Sequence, residues 1–130
     1  MNKDLISIFN DMFSQMNKKT LETAPCRMEV SEFITRLKRK ENILTLDIRT
    51  EEELEFTKFT YGDVLNISMN ELFTENNIAK LNKNKEIVVV CHTGARAIAI
   101  TTLLSLLGFK AIALKGGWVA ISEYLSARTA

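Results

Sequence analysis

The residues best equipped for chemistry stand in one short run, Cys91-His92-Thr93-Gly94-Ala95-Arg96. A mostly β-branched stretch, Glu86-Ile87-Val88-Val89-Val90, leads into it, and an apolar stretch from Ala97 to Leu107 follows. The pattern predicts a buried strand, a tight loop and a helix. A thiol at such a junction sits where backbone amides converge and the helix dipole favours negative charge. An ordinary thiol has a pKa near ~8.5, so only a few per cent is thiolate at neutral pH. Each unit of downward shift requires ~1.4 kcal/mol of preference for the anion. Inward-pointing amides at a helix start can supply that preference, and the thiolate could then hold or attack an anionic group.

The neighbours of Cys91 have separate uses. Gly94 allows a tight turn and close approach of a ligand to the backbone. Arg96, in the first helical turn, could serve a bound anion or brace the loop by pairing with an acid. His92 invites a Cys-His dyad, but adjacent residues in a tight loop point apart, so it reads as a rim residue that tunes charge. An inert, buried cysteine is the bland alternative for Cys91, and the attached Gly-x-Arg argues against it.

These residues must be positioned by elements that the rest of the chain supplies. Ile43-Leu44-Thr45-Leu46-Asp47-Ile48 reads as a strand covered on both faces. Its Asp47 needs a partner if buried, with Arg49 and Arg96 as candidates and bracing as the expected role. Thr50-Glu51-Glu52-Glu53 fits a capping box opening a short helix with Leu54 and Phe56. Met28-Glu29-Val30 is expected as a short strand, followed by a helix through Phe33, Ile34 and Leu37 to the basic cluster Lys38-Arg39-Lys40. Val64 to Ile67 is another short strand, and Met69 to Leu81 a weaker helical region broken at Asn76-Asn77.

The Ala95–Leu107 helix has few polar positions and is expected to be deeply packed, with Gly108 ending it. Ala111 to Leu114 is a further strand. Gly116-Gly117 then turns the chain into a last helix from Trp118 to Ser126, and Trp118 itself reads as core. Short apolar strands alternating with helices predict an α/β domain, with a mostly parallel sheet and helices on both faces. Sites in such sheets form beyond the carboxyl ends of the strands, which brings Cys91, Asp47, Arg49 and Gly116 to one edge.

Ahead of this domain, Asn2 to Lys18 reads as an amphipathic helix with Leu5, Ile8, Phe9, Met12, Phe13 and Met16 on one side. It is expected to pack on the domain, or else to contact a partner or a second subunit. Lys18 to Pro25 reads as a linker, so the division is 1–25 for helix and linker and 26–130 for the domain.

Composition narrows the function classes. The chain has 130 residues, 46% hydrophobic, with a formal net charge of +1, enough for one domain with a real core. That charge gives no field to steer nucleic acid or a membrane surface. Two cysteines, Cys26 and Cys91, make no secreted disulfide scaffold, and with one His they make no standard structural zinc site. No secretory signal or bilayer-spanning stretch is evident, so a cytoplasmic location is expected, with Cys26 as a bystander thiol.

Taken in order, Leu46-Asp47-Ile48-Arg49 with its following acids, the Cys91–Arg96 loop, and Leu114-Lys115-Gly116-Gly117 resemble the rhodanese-like family, of single-domain type. The likeness runs from about Met28 to Tyr124. It implies a sulfurtransferase without metal or organic cofactor, in which Cys91 takes a sulfane sulfur from a donor such as thiosulfate and passes it to a thiophilic acceptor. It implies that the amides of His92, Thr93, Gly94, Ala95 and Arg96 hold the persulfide and donor, with Asp47 and Arg49 as support. A sulfur-relay module serving a protein partner is the alternative. Related phosphatases carry five residues between Cys and Arg; here His92 to Ala95 make four, which favours sulfur over phosphorus. Two departures stand out: Thr57-Lys58-Phe59-Thr60-Tyr61-Gly62 replaces the family's Gly-His-Ile-x-Gly-Ala segment, and Ile121 stands where a tryptophan is usual.

Overall fold

Apolar residues dominate the strands, which assemble around the one that precedes Cys91. The computed structural model describes residues 1–14 and 27–129. The expected linker, Met16 and Cys26 lie outside the described residues. Five strands form one sheet: β1 (Arg27–Met28), β2 (Ile43–Asp47), β3 (Asp63–Asn66), β4 (Glu86–Val90) and β5 (Lys110–Leu114). Their spatial order is β1-β5-β4-β2-β3, and every pairing is parallel. The expected α/β class with a parallel sheet is therefore what the chain adopts. β4 and β2 are central, which is why both read as nearly unbroken apolar runs.

Among the described residues six α-helices accompany the sheet: α1 (Lys3–Phe13), α2 (Val30–Lys38), α3 (Glu51–Phe56), α4 (Glu75–Ile78), α5 (Ala95–Leu106) and α6 (Gly117–Thr129). Alternation along β4 divides the core. Ile87, Val89 and Cys91 face Ala97, Ile100 and Leu104 of α5. Val88 and Val90 face Phe33, Ile34 and Leu37 of α2 and Ile121 of α6. Ile121 is fully buried there.

Several local expectations need correction. Val30 begins α2 and does not extend the first strand, whose pairing with β5 ends at Met28. Asn76 and Asn77 do not interrupt a helix; they lie within α4. The Thr74 hydroxyl caps it by accepting from the Asn77 amide at 3.1 Å, and the break falls earlier, after a 3₁₀ turn at Met69–Glu71. α5 is not buried all round: Ile98, Leu103 and Leu107 are exposed. α1 is formed, with Asn2 capping the amides of Asp4 and Leu5 at 3.1 Å, but none of its residues is buried. Its apolar face is not taken into the core. No helix among the described residues is long and apolar enough to cross a membrane.

The register fixes the edge where function is expected. Asp47 pairs with Val90 across β2 and β4, and the Ile48 amide donates to the Val90 carbonyl at 2.9 Å. The chain therefore leaves β2 and β4 at one level, and Arg49 and Cys91 emerge side by side.

Candidate active site

Cys91 follows β4 directly, and its loop turns into α5 through Gly94, whose φ of 99° places it in the left-handed region as the helix N-cap. The Gly94 amide donates to Cys91 Sγ at 3.1 Å, so the first turn of the loop aims a main-chain hydrogen at the sulfur. Only 1% of Cys91 is exposed. His92 and Thr93 are exposed beside it, Gly94 is buried, and Ala95 is exposed. Cys91 and His92 thus point to different surroundings, which fits a rim position for His92.

The Gly116-Gly117 turn closes the loop from below. The Trp118 amide donates to the Cys91 carbonyl at 2.8 Å and the Val119 amide to the His92 carbonyl at 3.1 Å. Gly117 has a φ of 57°, and a Cβ there would collide with those same two carbonyls. A Cβ on Gly94 would come within 3.0 Å of the Gly116 amide nitrogen. Both glycines are required because two backbones pass at contact distance.

Asp47 and Arg49 form a buried ion pair, 0% and 1% exposed. Arg49 Nη2 donates to Asp47 Oδ2 at 2.9 Å, and its Nε lies 3.1 and 3.2 Å from the two carboxylate oxygens. Its Nη1 and Nη2 reach the hydroxyl and carbonyl of Thr57, each at 3.1 Å. The guanidinium carbon sits 4.6 Å from the centre of the Trp118 ring. Trp118 in turn meets Phe59 edge-on at 6.3 Å, and Phe59 lies 6.0 Å from Phe33. Asp47 therefore has the Arg49 partner expected of it. The altered Thr57–Gly62 segment is anchored through Thr57 and Phe59, and Trp118 walls the Arg49 side as well as joining the core.

Arg96 pairs with Glu53 in a two-bond fork, Nη1 to Oε1 at 3.1 Å and Nη2 to Oε2 at 3.0 Å. Glu53 is already fixed by the capping box: Thr50 N–H donates to its Oε1 at 3.1 Å, while the Glu53 amide donates to the Thr50 hydroxyl at 3.2 Å. The Arg96 fork, ahead of the smaller pull of the Thr50 amide and against partial burial, lowers the Glu53 pKa to about 2. The reciprocal pairing raises that of Arg96, with weaker pulls from Cys91 and Asp47 in the same direction. Glu53 was legible as a capping residue; its partnership with Arg96, 43 residues away, left no local signal.

A model of the rhodanese-like domain matches residues 29–124 of the chain. The chain belongs to the rhodanese-like family. The matched span contains Cys91 to Arg96, Asp47 and Arg49, and leaves out α1. Among curated proteins, the chain is 26% identical over 98 residues to the Bacillus subtilis protein named "Putative sulfurtransferase YtwF", covering 72% of this chain and 91% of that one. A rhodanese-related protein of Thermoplasma volcanium superposes with a TM-score of 0.62 at 26% identity, over 75% of this chain and 91% of that one. The human single-domain sulfurtransferase TSTD1 does so with a TM-score of 0.63 at 24% identity, over 75% and 95%, and attests the fold.

Two outcomes follow from the ion pairs. Asp47→Ala leaves Arg49 charged and buried, and should cost about 3–5 kcal/mol in urea denaturation. The Glu53 carboxylate, depressed to about 2 in the folded state, stabilises the fold above its unfolded pKa of about 4.3 and loses that contribution as pH falls toward 2. Melting temperatures of the wild type should therefore fall more steeply between about pH 4.5 and pH 2 than those of Glu53→Gln. The difference between the two curves removes the parallel effect of Glu86, whose pKa Arg36 also lowers.

Proposed function

We propose that the protein is a sulfurtransferase that carries a sulfane sulfur as a persulfide on Cys91, drawn from thiosulfate or a similar donor. The observation that carries this reading is the Gly94 amide directed at Cys91 Sγ at the start of a 12-residue helix. That placement suits a persulfide, because a main-chain donor and the helix dipole both act on its negative charge. The slight exposure of Cys91 favours a donor that offers a slim terminal atom, as a sulfane sulfur does.

In the first half-reaction, the Cys91 thiolate attacks the outer sulfur of thiosulfate. A new S–S bond forms, the old one breaks, and sulfite departs with the electron pair. In the second, a thiophilic acceptor such as cyanide attacks the outer sulfur, thiocyanate leaves, and the thiolate is restored. No proton need be gained or lost in either step. The amides of His92, Thr93, Gly94, Ala95 and Arg96 hold the anionic donor and persulfide. Asp47 and Arg49 act as site support: they fix the wall formed by Thr57 and Trp118. The domain comprises residues 26–130, with 1–25 appended, and a chain with two cysteines and no disulfide framework suits a reducing cytoplasm.

A second reading, in which the donor or acceptor is carried on a protein, is favoured by uncovered apolar surface. Ile98, Leu103 and Leu107 are exposed on α5, the helix that starts at the loop. Leu5, Ile8, Phe9 and Phe13 are exposed on α1, which could also join two copies of the chain.

Intact mass spectrometry after thiosulfate should show one added sulfur atom, removed by cyanide and absent in Cys91→Ser. Thiocyanate production by Cys91→Ser at the wild-type rate would end the proposal. Light scattering tests the homodimer: Phe9→Glu with Phe13→Glu should halve the wild-type mass, and a wild type of monomer mass removes the second copy.

A further inference from the structure

Every cation that the strand ends bring to the site edge in an ion pair is matched by one carboxylate. Arg49 follows β2 and is held by Asp47. Lys115 follows β5 and pairs with Glu29 at 3.1 Å. Arg96 follows β4 and its loop, and pairs with Glu53 at 3.0 Å. The third pair differs in kind from the first. Asp47 and Arg49 are both buried, whereas Arg96 and Glu53 keep 36% and 28% of their side-chain surface. Arg96 also stands in the first turn of the helix that the Cys91 loop opens. It is thus the guanidinium placed to meet an incoming anion, and its net charge is cancelled. The exposed ionisable groups on the elements that carry the pair are mainly acidic: Glu51, Glu52 and Glu55 on α3, with Lys58 after it and His92 in the loop.

Glu53 does not depend on Arg96 for its position. The capping box fixes its carboxylate to the Thr50 amide at 3.1 Å. The acid is therefore set by its own helix and reaches across to the guanidinium. Two parallel N–H···O bonds on a preorganised acceptor are the strong form of this interaction. Binding of a dianion at the loop would bring two negative charges against the Glu53 carboxylate, or require Arg96 to leave its fork. A donor with one negative charge meets half of that repulsion.

We infer that Glu53 determines donor choice: by neutralising Arg96 beside the loop, it disfavours dianionic thiosulfate relative to monoanionic persulfides. The inference rests on the sulfur-transfer reading and assigns the substrate class for that site. With a persulfide donor, the Cys91 thiolate attacks the outer sulfur of R–S–S⁻. The S–S bond between the inner and outer sulfurs of the donor breaks, R–S⁻ leaves with the pair, and Cys91 becomes the persulfide.

The test measures the rate of sulfur loading on Cys91 by mass spectrometry, with thiosulfate and with a small alkyl persulfide bearing no other charge. Glu53→Gln keeps an oxygen acceptor for the Thr50 amide, so the helix cap survives while the charge is removed. It should raise the second-order rate constant with thiosulfate by about fivefold and change that with the persulfide by less than about twofold. Adding Arg96→Gln to Glu53→Gln should abolish the gain. An unchanged ratio of the two donors, or a selective loss with thiosulfate, would overturn the assignment; the latter would mean that Glu53 aims Arg96 at the anion.

Salt dependence of the wild type gives a reading that needs no variant. With Arg96 cancelled, loading from thiosulfate should not slow as salt rises from about 20 to 300 mM, since screening relieves the repulsion from Glu53. A steep fall would reveal an uncancelled cation and count against the inference. If the wild type loads from neither donor, the sulfur-transfer reading fails and the donor assignment fails with it. Loading from either donor with no effect of Glu53→Gln overturns the donor assignment alone.

Discussion

The buried pair between Asp47 and Arg49 is the constraint on which the geometry of the edge depends. Two charges withdrawn from water are tolerated only when their hydrogen-bonding capacity is met. Here the carboxylate takes three contacts from the guanidinium and one from the Arg49 amide, and the remaining guanidinium donors go to Thr57. That requirement ties the end of β2 to the segment after α3. The face of the same guanidinium lies against Trp118, which opens α6. Because the Trp118 amide also holds the Cys91 carbonyl, the demand of one buried charge is transmitted to the backbone of the loop. A pair in such a place contributes specificity of arrangement more than net stability.

The loop itself is built from main chain. Its contact to the sulfur comes from the Gly94 amide, and its floor from a second stretch of backbone at Gly116-Gly117. The two arginines nearest the loop, Arg49 and Arg96, are engaged by carboxylates. Anion stabilisation by amides and a helix start does not rely on a flexible charged side chain finding its position, and it is not titrated away in the physiological range. The division of labour is that main chain faces the sulfur while ion pairs hold the elements that carry the main chain.

Much of this was legible in the sequence because it rests on local pattern. The run Glu86–Val90 gave its strand to the residue, since a central strand must be apolar on both faces. The Thr50–Glu53 capping box is a local motif, and both of its hydrogen bonds form. What was not legible depends on long-range packing. Nothing around Glu53 indicates that its second role is to hold Arg96, because three acids stand in a row and only the turn of α3 decides which one faces α5. The asparagines at 76 and 77 look like helix breakers by propensity, yet Thr74 caps the turn and the Asn77 side chain donates to the Glu71 carbonyl at 2.8 Å. A cap outweighed propensity over so short a helix.

The apolar helices expose a different limit of pattern reading. α5 carries no charge from Ala97 onward, and a helix apolar all round is expected to be buried all round. The side bearing Ala97, Ile100 and Leu104 meets the sheet, and among the described residues no further layer covers the other. α1 has the opposite sequence character, amphipathic with polar residues on one side, and its apolar side is uncovered as well. Periodicity reports how much apolar surface a helix presents and not what meets it. When one chain holds two such surfaces, and one helix starts at the Cys91 loop, the bare side of that helix can vary without disturbing the loop. Its buried side and the loop are constrained together by the core, whereas Ile98, Leu103 and Leu107 can change independently of Cys91.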